Sequence, residues 1–168
     1  MLALLPRLRR FAIGLTGSTA DGDDLVQATF ERAIRYIDSW ESGTRLDSWM
    51  FRIARNLFLN DVRAQKVRNR HLKSVKNDGA FPKDTGDSVE QRALLGTLRR
   101  LIGRLPEEQR AALLLVAVEG LSYAETAEVL DLPVGTVTSR VARARIALKQ
   151  FLDGTAAAAP ERKAASRD

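Results

Sequence analysis

The sequence predicts an all-α protein made of two small helical domains joined by a flexible linker. Apolar residues recur with the three-four spacing of a helix face in most segments, as at Leu4, Leu8, Phe11 and Leu15. No segment shows the sustained alternation that is typical of a strand. Over residues 72–87 apolar residues are few and turn signals replace the pattern. We therefore expect domains at residues 1–71 and 88–152, a linker at residues 72–87 and a disordered tail at residues 153–168.

Three helices are predicted in the first domain. The apolar spacing places them at residues 4–15, 21–37 and 46–70. Asp21, Asp23 and Asp24 lie in the first turn of the second helix, where carboxylates interact favourably with the helix dipole. A loop at residues 41–44 precedes the third helix, whose Trp49 and Ile53 are expected to face inward.

The second domain is predicted to begin with a capping box. Ser88 and Gln91 have the spacing of this motif, and an apolar stripe continues from there to Leu105. Pro106 is well placed to open the next helix, which is expected to end near Gly120.

Residues 121–145 predict a helix-turn-helix. Ser122 and Glu125 form a capping box that starts a short helix, and Pro133 prevents this helix from continuing. Two short helices joined by three or four residues are the layout of this DNA-binding motif. The second helix then presents polar groups at its N-terminal end, where such helices enter a major groove. These groups are Thr136, Thr138, Ser139, Arg140 and Arg143.

Composition excludes several other chemistries. The chain of 168 residues has no cysteine and one histidine, so no disulfide, thiolate metal site or cysteine nucleophile is possible. Neither serine of the helix-turn-helix nor His71 lies in a triad-like context, and no glycine-rich phosphate loop is present. We therefore expect no enzyme activity and no cofactor. Because no apolar run reaches membrane-spanning length and the start lacks signal-peptide features, we expect a cytoplasmic protein without membrane insertion.

Charge is segregated along the chain. The net charge is +6, but residues 45–76 hold nine basic and two acidic residues, and residues 134–150 hold four basic residues and no acidic one. Residues 21–31 hold four acidic residues and no basic one. Arginines interleaved with amides on the third helix indicate nucleic-acid binding, although a solvated face has the same composition. The candidate residues there are Arg52, Arg55, Asn56, Asn60, Arg63 and Lys66.

Three motifs together resemble a bacterial sigma factor of the extracytoplasmic-function group. Residues 23–30 resemble the segment of region two that docks on core RNA polymerase, and residues 49–56 resemble the helix that engages the minus-ten promoter element. Residues 105–110 and 122–145 resemble region four, which binds the minus-thirty-five element. The residues near the N-terminus and at 43–49 also resemble the alphaproteobacterial general-stress branch.

The resemblance implies partners and roles for individual residues. Asp24, Gln27 and Phe30 would contact core RNA polymerase, whereas Ala28 stands where the family often has a carboxylate. Asn56 would take part in minus-ten recognition, and the loop at residues 41–47 would capture an extruded promoter base. The family also implies control by an anti-sigma factor, whose identity the sequence does not give.

Two other classes of protein fit parts of the sequence. A conventional helix-turn-helix regulator would bind a duplex tightly without polymerase. A protein-interaction module would be indifferent to charge reversal at Arg140 and Arg143. From the residues alone, the acidic face of the second helix could bind a basic groove on another protein, or it could simply face solvent.

Overall fold

Seven α-helices make up the part of the chain that the structure, a computed structural model, describes, which is residues 2–69 and 89–157. Single turns of 3-10 helix occur at Leu2–Leu4 and Ile37–Ser39, and these ranges contain no strand. The helices are α1 Leu5–Thr16, α2 Thr19–Arg35, α3 Leu46–Asn69, α4 Val89–Gly103, α5 Glu107–Ala117, α6 Tyr123–Leu130 and α7 Val134–Ala157. The all-α prediction is confirmed.

Several predicted helix ends differ from the structure, including both ends of the second helix. The second helix begins at Thr19 because the Ser18 side chain caps it, accepting from the Asp21 N–H. It ends at Arg35 rather than Ile37, and the Ser39 hydroxyl donates to the Tyr36 carbonyl at 2.6 Å in the 3-10 turn that follows.

The helix α7 includes the first five residues of the predicted tail, residues 153–157. Alanine is the best helix former, and Ala156 and Ala157 close the helix beyond Gly154. Residues 158–168 lie outside the described part of the chain, as do the predicted linker, His71 and the Ser88 of the predicted capping box.

The first three helices form an amino-terminal unit around an aromatic pair. Phe11 of α1 and Phe51 of α3 are buried and meet edge to face, with ring centroids 5.1 Å apart. Gly22 lets α2 cross close to α1, because a Cβ at this position would lie 2.9 Å from the Ile13 Cα. The glycine thus fixes how closely the first two helices pack.

The remaining four helices form a carboxy-terminal unit. Leu113, Leu114 and Leu115 of α5 are buried, and Val137 and Val141 of α7 pack into the same core. The two units also pack on each other, since α1 lies against α5. A Cβ on Gly14 would come within 2.8 Å of the Leu114 side chain, so a larger residue here would force Leu114 to shift.

Substitution of one buried threonine is expected to stabilise the folded protein. Thr126 of α6 is fully buried, and its hydroxyl finds no hydrogen-bond partner among the described residues. Because an unpaired buried hydroxyl keeps its desolvation cost, Thr126→Val should raise the free energy of unfolding by about 1 kcal/mol, measured by urea denaturation.

Thr29 provides the matched control for that substitution. It is equally buried, but its hydroxyl donates to the Leu25 carbonyl at 2.7 Å. Thr29→Val should therefore be neutral or destabilising. Equal effects of the two substitutions would show that the Thr126 hydroxyl is satisfied.

Candidate nucleic-acid interface

The helix-turn-helix is built as its capping pattern predicts. The Ser122 hydroxyl accepts from the Glu125 N–H at 3.2 Å, and the Glu125 carboxylate accepts from the Ser122 N–H at 2.7 Å. Asp131 ends α6 with a left-handed backbone (φ 53°), which aspartate tolerates better than most residues. Buried Val129 of α6 and Val137 of α7 hold the two helices together.

A helix-turn-helix presents the N-terminal half of its second helix, which is α7 here, to DNA. Thr138 and Arg143 are exposed, whereas Thr136, Ser139 and Arg140 are half-buried. Arg140 forms an ion pair with Glu108 of α5. In the structure Arg143 is therefore directly accessible, whereas Arg140 is already paired with Glu108.

The hydroxyls of this helix have internal partners. Thr138 donates to the Val134 carbonyl at 3.0 Å, and Ser139 donates to the Thr136 carbonyl at 2.9 Å. Each hydroxyl oxygen can still accept a hydrogen bond or reorient. The Ser139 oxygen accepts one from Arg143 at 3.3 Å, which holds this guanidinium over the N-terminal half of α7.

The basic side of α3 is divided between solvent and the carboxy-terminal unit. Asn56, Asn60 and Arg63 are exposed. Arg52 donates to the Glu128 carbonyl of α6, and Lys66 pairs with Glu107 of α5 at 2.9 Å. The described structure thus places part of the predicted DNA surface against the other unit.

Arg55 lies at the edge of this basic side. It is half-buried, and burial is the main reason that its guanidinium pKa is lowered. One of its amino groups donates to the Asn56 side-chain oxygen at 3.1 Å. This contact orients the Asn56 amide, whose N–H groups remain exposed at the surface.

The acidic face of α2 is partly neutralised inside the chain. Arg9 binds both oxygens of Asp23, at 2.6 and 3.0 Å, and this hydrogen bonding lowers the pKa of the Asp23 carboxyl. Asp24 and Gln27 are exposed, and Gln27 donates to Glu31 at 3.0 Å. These exposed groups can meet a partner protein.

Phe30 belongs mainly to the core. It is half-buried and packs against the buried cluster, so only part of its ring faces outward.

An open groove of about 700 Å³ runs beside Asp24, between α2, α3 and the start of α5. Its floor is apolar, with Leu25, Leu57 and Phe58. Its rim carries carboxylates, Asp24 and Glu107 among them, and also two cations, Lys66 and Arg110. A groove with an apolar floor and a charged rim suits an amphipathic helix.

Sequence reasoning missed a group of charged residues between the two units. Arg7 of α1 contacts Asp47 at the start of α3 at 3.0 Å and Glu119, between α5 and α6, at 3.1 Å. Arg45 pairs with Asp47 at 2.7 Å and also with Glu125. Because Arg7 and Glu119 are 112 positions apart, no local spacing rule points to their contact.

The Asp47 carboxylate is tightly held in this group. Hydrogen bonds from Arg45 and, secondarily, from Arg7 and the Ser48 N–H lower its pKa to about 2. Because the folded pKa lies below the ordinary value, the stabilisation is complete above about pH 4 and is lost as the pH falls toward 2. A carbon NMR titration should give a midpoint near pH 2, and Arg45→Ala should raise it more than Arg7→Ala. A wild-type midpoint near 4 would contradict these hydrogen bonds.

The site defines a helix-turn-helix DNA-binding protein with a second basic helix in a separate unit. Comparison with known proteins gives the family. Residues 95–148 match the family Sigma-70, region 4, and residues 1–55 match the Sigma2 domain of PhyR. The chain belongs to the extracytoplasmic-function (ECF) sigma factors of bacterial RNA polymerase.

Individual relatives agree with this assignment. The chain is 42% identical over 154 residues to the ECF RNA polymerase sigma factor EcfG of Rhodopseudomonas palustris, covering 90% of this chain and 82% of EcfG. It is 31% identical to the ECF sigma factor SigW of Bacillus subtilis, covering 82% and 79% of the two chains. The solved sigma factor RpoE of Bartonella quintana, in complex with the anti-sigma factor NepR, is similar with a TM-score of 0.79 and 32% identity, covering 90% of this chain and 93% of RpoE.

These matches decide between the classes of protein that the sequence left open. Members of this family are transcription initiation factors and not enzymes, and the matches to EcfG and to the PhyR domain agree with the general-stress branch. The matches therefore show the sigma factor family and not a family of conventional helix-turn-helix regulators. Within the described ranges, no helix is long and apolar enough to cross a membrane.

Proposed function

We propose that this chain acts as an alternative sigma factor that binds core RNA polymerase and directs initiation at a specific set of promoters. The observation that carries the proposal is that Thr138 and Arg143 are exposed on the N-terminal half of α7, in a chain of the ECF sigma family. The basic side of α3 adds a second DNA surface in the other unit. Two modest contacts on one assembly gain affinity through their high effective concentration.

Residues 1–71 would act as region two. In this assignment Asn56 and Asn60 meet the minus-ten element, with Arg52, Arg55, Arg63 and Lys66 providing phosphate and base contacts. The loop at residues 41–47 would hold an extruded base, since an open duplex exposes base edges that need a pocket.

Residues 88–152 would act as region four, joined to region two by residues 72–87. Arg143 is the side chain best placed to contact a base, because arginine can bond a guanine edge with two hydrogen bonds. Thr136, Thr138, Ser139 and Arg140 would support it through phosphate or base contacts. Arg140 would contribute only after it leaves Glu108.

In vitro transcription with core RNA polymerase tests the proposal directly. Purified chain should give initiation from a subset of a promoter panel, and polymerase without it should not. A gel shift with the chain alone tests the conventional-regulator alternative. Tight sequence-specific binding without polymerase, together with no initiation on any promoter, would overturn the proposal.

The polymerase contact predicts a specific loss of binding. Asp24 is exposed on the acidic face of α2, so Asp24→Lys reverses a charge that faces the partner. Removing one partner of an interfacial charge pair typically costs about 2 kcal/mol or more, so affinity for core polymerase should fall at least tenfold. Asp38→Lys, at an exposed carboxylate in the 3-10 turn, is the matched control. Equal affinities of the two variants would remove Asp24 from the polymerase contact.

We further propose that an anti-sigma factor controls the chain in the cytoplasm. The similar RpoE of Bartonella quintana was solved in complex with NepR, an anti-sigma factor. The open groove beside Asp24 suits a small helical inhibitor, which would then compete with polymerase. A pull-down of native partners, scored for polymerase subunits and for a small inhibitor protein, tests both partners at once.

A further inference from the structure

The first turn of α5 supplies a carboxylate to the helix that the proposed function places in the major groove. Glu108 of α5 forms an ion pair with Arg140 of α7. Both helices belong to the carboxy-terminal unit, so the contact is complete within that unit. It is available whenever this unit is folded, whatever the amino-terminal unit does.

Arg140 depends on this carboxylate. The Arg140 side chain is 19% exposed and the Glu108 side chain 41%. One terminal nitrogen of Arg140, Nη2, contacts the carboxylate, and the other, Nη1, is buried without a hydrogen-bond partner among the described residues. Because burial removes hydration from the guanidinium, the carboxylate is what compensates its charge here. Without Glu108, a charged Arg140 would gain by turning outward to solvent or to a phosphate.

Other charged residues lie near this pair. The pKa of Arg55 in α3 is lowered mainly by burial, and Glu108 counteracts this effect whereas Arg140 adds to it. Asp131 at the end of α6 also raises this pKa, and Arg63 lowers it. Glu108 is therefore close to two arginines, and within the described ranges its ion pair is with Arg140.

Arg143 lies one turn further along α7 and has a different environment. It is exposed, and its guanidinium donates to the neutral Ser139 hydroxyl at 3.3 Å. A cation in this state attracts a phosphate whatever the base sequence. Carboxylate and phosphate oxygens suit the same fork of guanidinium donors. Arg140 can therefore bind a phosphate only by giving up Glu108.

We propose that Glu108 is an internal competitor for DNA, because its carboxylate holds the Arg140 guanidinium that a DNA phosphate would otherwise bind. It thereby keeps the affinity of the free chain for duplex DNA low. The proposal rests on the proposed function in taking the N-terminal half of α7 as a DNA surface. Glu108 is a positioning residue, since it acts through Arg140 and need not touch DNA.

The salt dependence of DNA binding by the full chain tests the competition. Glu108→Gln keeps the shape of the side chain and removes its charge. The freed Arg140 should then add one phosphate contact, and each such contact steepens the plot of log affinity against log salt by about 0.9. Affinity for a labelled mixed-sequence duplex, measured by fluorescence anisotropy, should rise about threefold.

Two further variants separate the ion pair from the general effect of charge. Glu128→Gln makes the same charge change on an exposed residue of α6, and its effect on slope and affinity should be less than half as large. Replacing both partners, Glu108→Gln with Arg140→Gln, should restore the wild-type slope and affinity, because a neutral pair is exchanged for two neutral side chains.

Three results would overturn the proposal. An unchanged slope in Glu108→Gln would mean that Arg140 does not reach a phosphate when it is released. Equal effects of Glu108→Gln and Glu128→Gln would mean that only the overall charge matters. A double variant that binds more weakly than wild type, with a shallower slope, would mean that Arg140 already contacts DNA despite Glu108.

The double variant also decides the matter if Glu108→Gln alone loses helix content by circular dichroism. A merely structural ion pair would change the free energy of unfolding and leave the salt slope as it is. None of these measurements needs polymerase or a promoter. Failure of the promoter assay would therefore reject the proposed function, whereas an unchanged salt slope would reject the competition.

Discussion

Replacing Arg143 by glutamate is expected to lower promoter-dependent initiation about 100-fold. A bidentate contact between arginine and guanine is worth about 1–3 kcal/mol, and the reversed charge adds repulsion from the phosphates. Arg143 is exposed on the N-terminal half of α7, where no carboxylate among the described residues pairs with it. The variant should therefore lose contact with promoter DNA while its fold stays intact.

Single-round transcription with saturating polymerase measures this loss. Arg145→Glu is the matched control, because it makes the same charge change on an exposed residue of the same helix. Two residues along a helix amount to about 200° of rotation, so Arg145 lies on the other flank of α7. If both variants lose activity equally, the overall charge of α7 matters and Arg143 makes no specific contact.

Replacing Phe51 by alanine is expected to lower the free energy of unfolding by about 3–5 kcal/mol. Phe51 is 2% exposed, meets Phe11 edge to face, and lies beneath the Arg7 guanidinium, which is 5.4 Å from its ring centroid. Truncation would leave a cavity and remove a surface that orients Arg7 toward Glu119. Urea denaturation followed by circular dichroism measures the loss.

Phe30→Ala provides the comparison for that measurement. The Phe30 ring is only half-buried at the edge of the same core, so its truncation should cost less than half as much. A cost for Phe51→Ala below about 1 kcal/mol would mean that the ring is not part of the core.

The helices themselves were predictable because their signals are local. Ser122 and Glu125 stand three positions apart, and Pro133 follows closely, so capping and turn chemistry determine the motif within a dozen residues. The ends of α2 and α7 were less predictable. There, a side-chain cap at Ser18 and the helix propensity of the alanines after Gly154 outweigh the apolar pattern.

The candidate site was predictable only in part. The residue pattern of α3 identifies a basic stripe, but a stripe that binds phosphate and one that binds a carboxylate have the same composition. Lys66 illustrates this, because its partner in the structure is Glu107. Glu119 shows the larger difficulty, since nothing near residue 119 indicates that its charge is buried against arginines of α1.

The two oxygens of Glu125 bind different parts of the chain. One oxygen accepts from the Ser122 N–H at the start of α6, and the other pairs with Arg45 in the loop at residues 41–47. A single carboxylate thus connects the loop proposed to hold an unpaired base with the first turn of the helix-turn-helix. Thermodynamic linkage makes such a connection reciprocal. A ligand that draws Arg45 away changes the free energy of the α6 cap, and a change in that cap alters the loop's affinity for its ligand by the same factor.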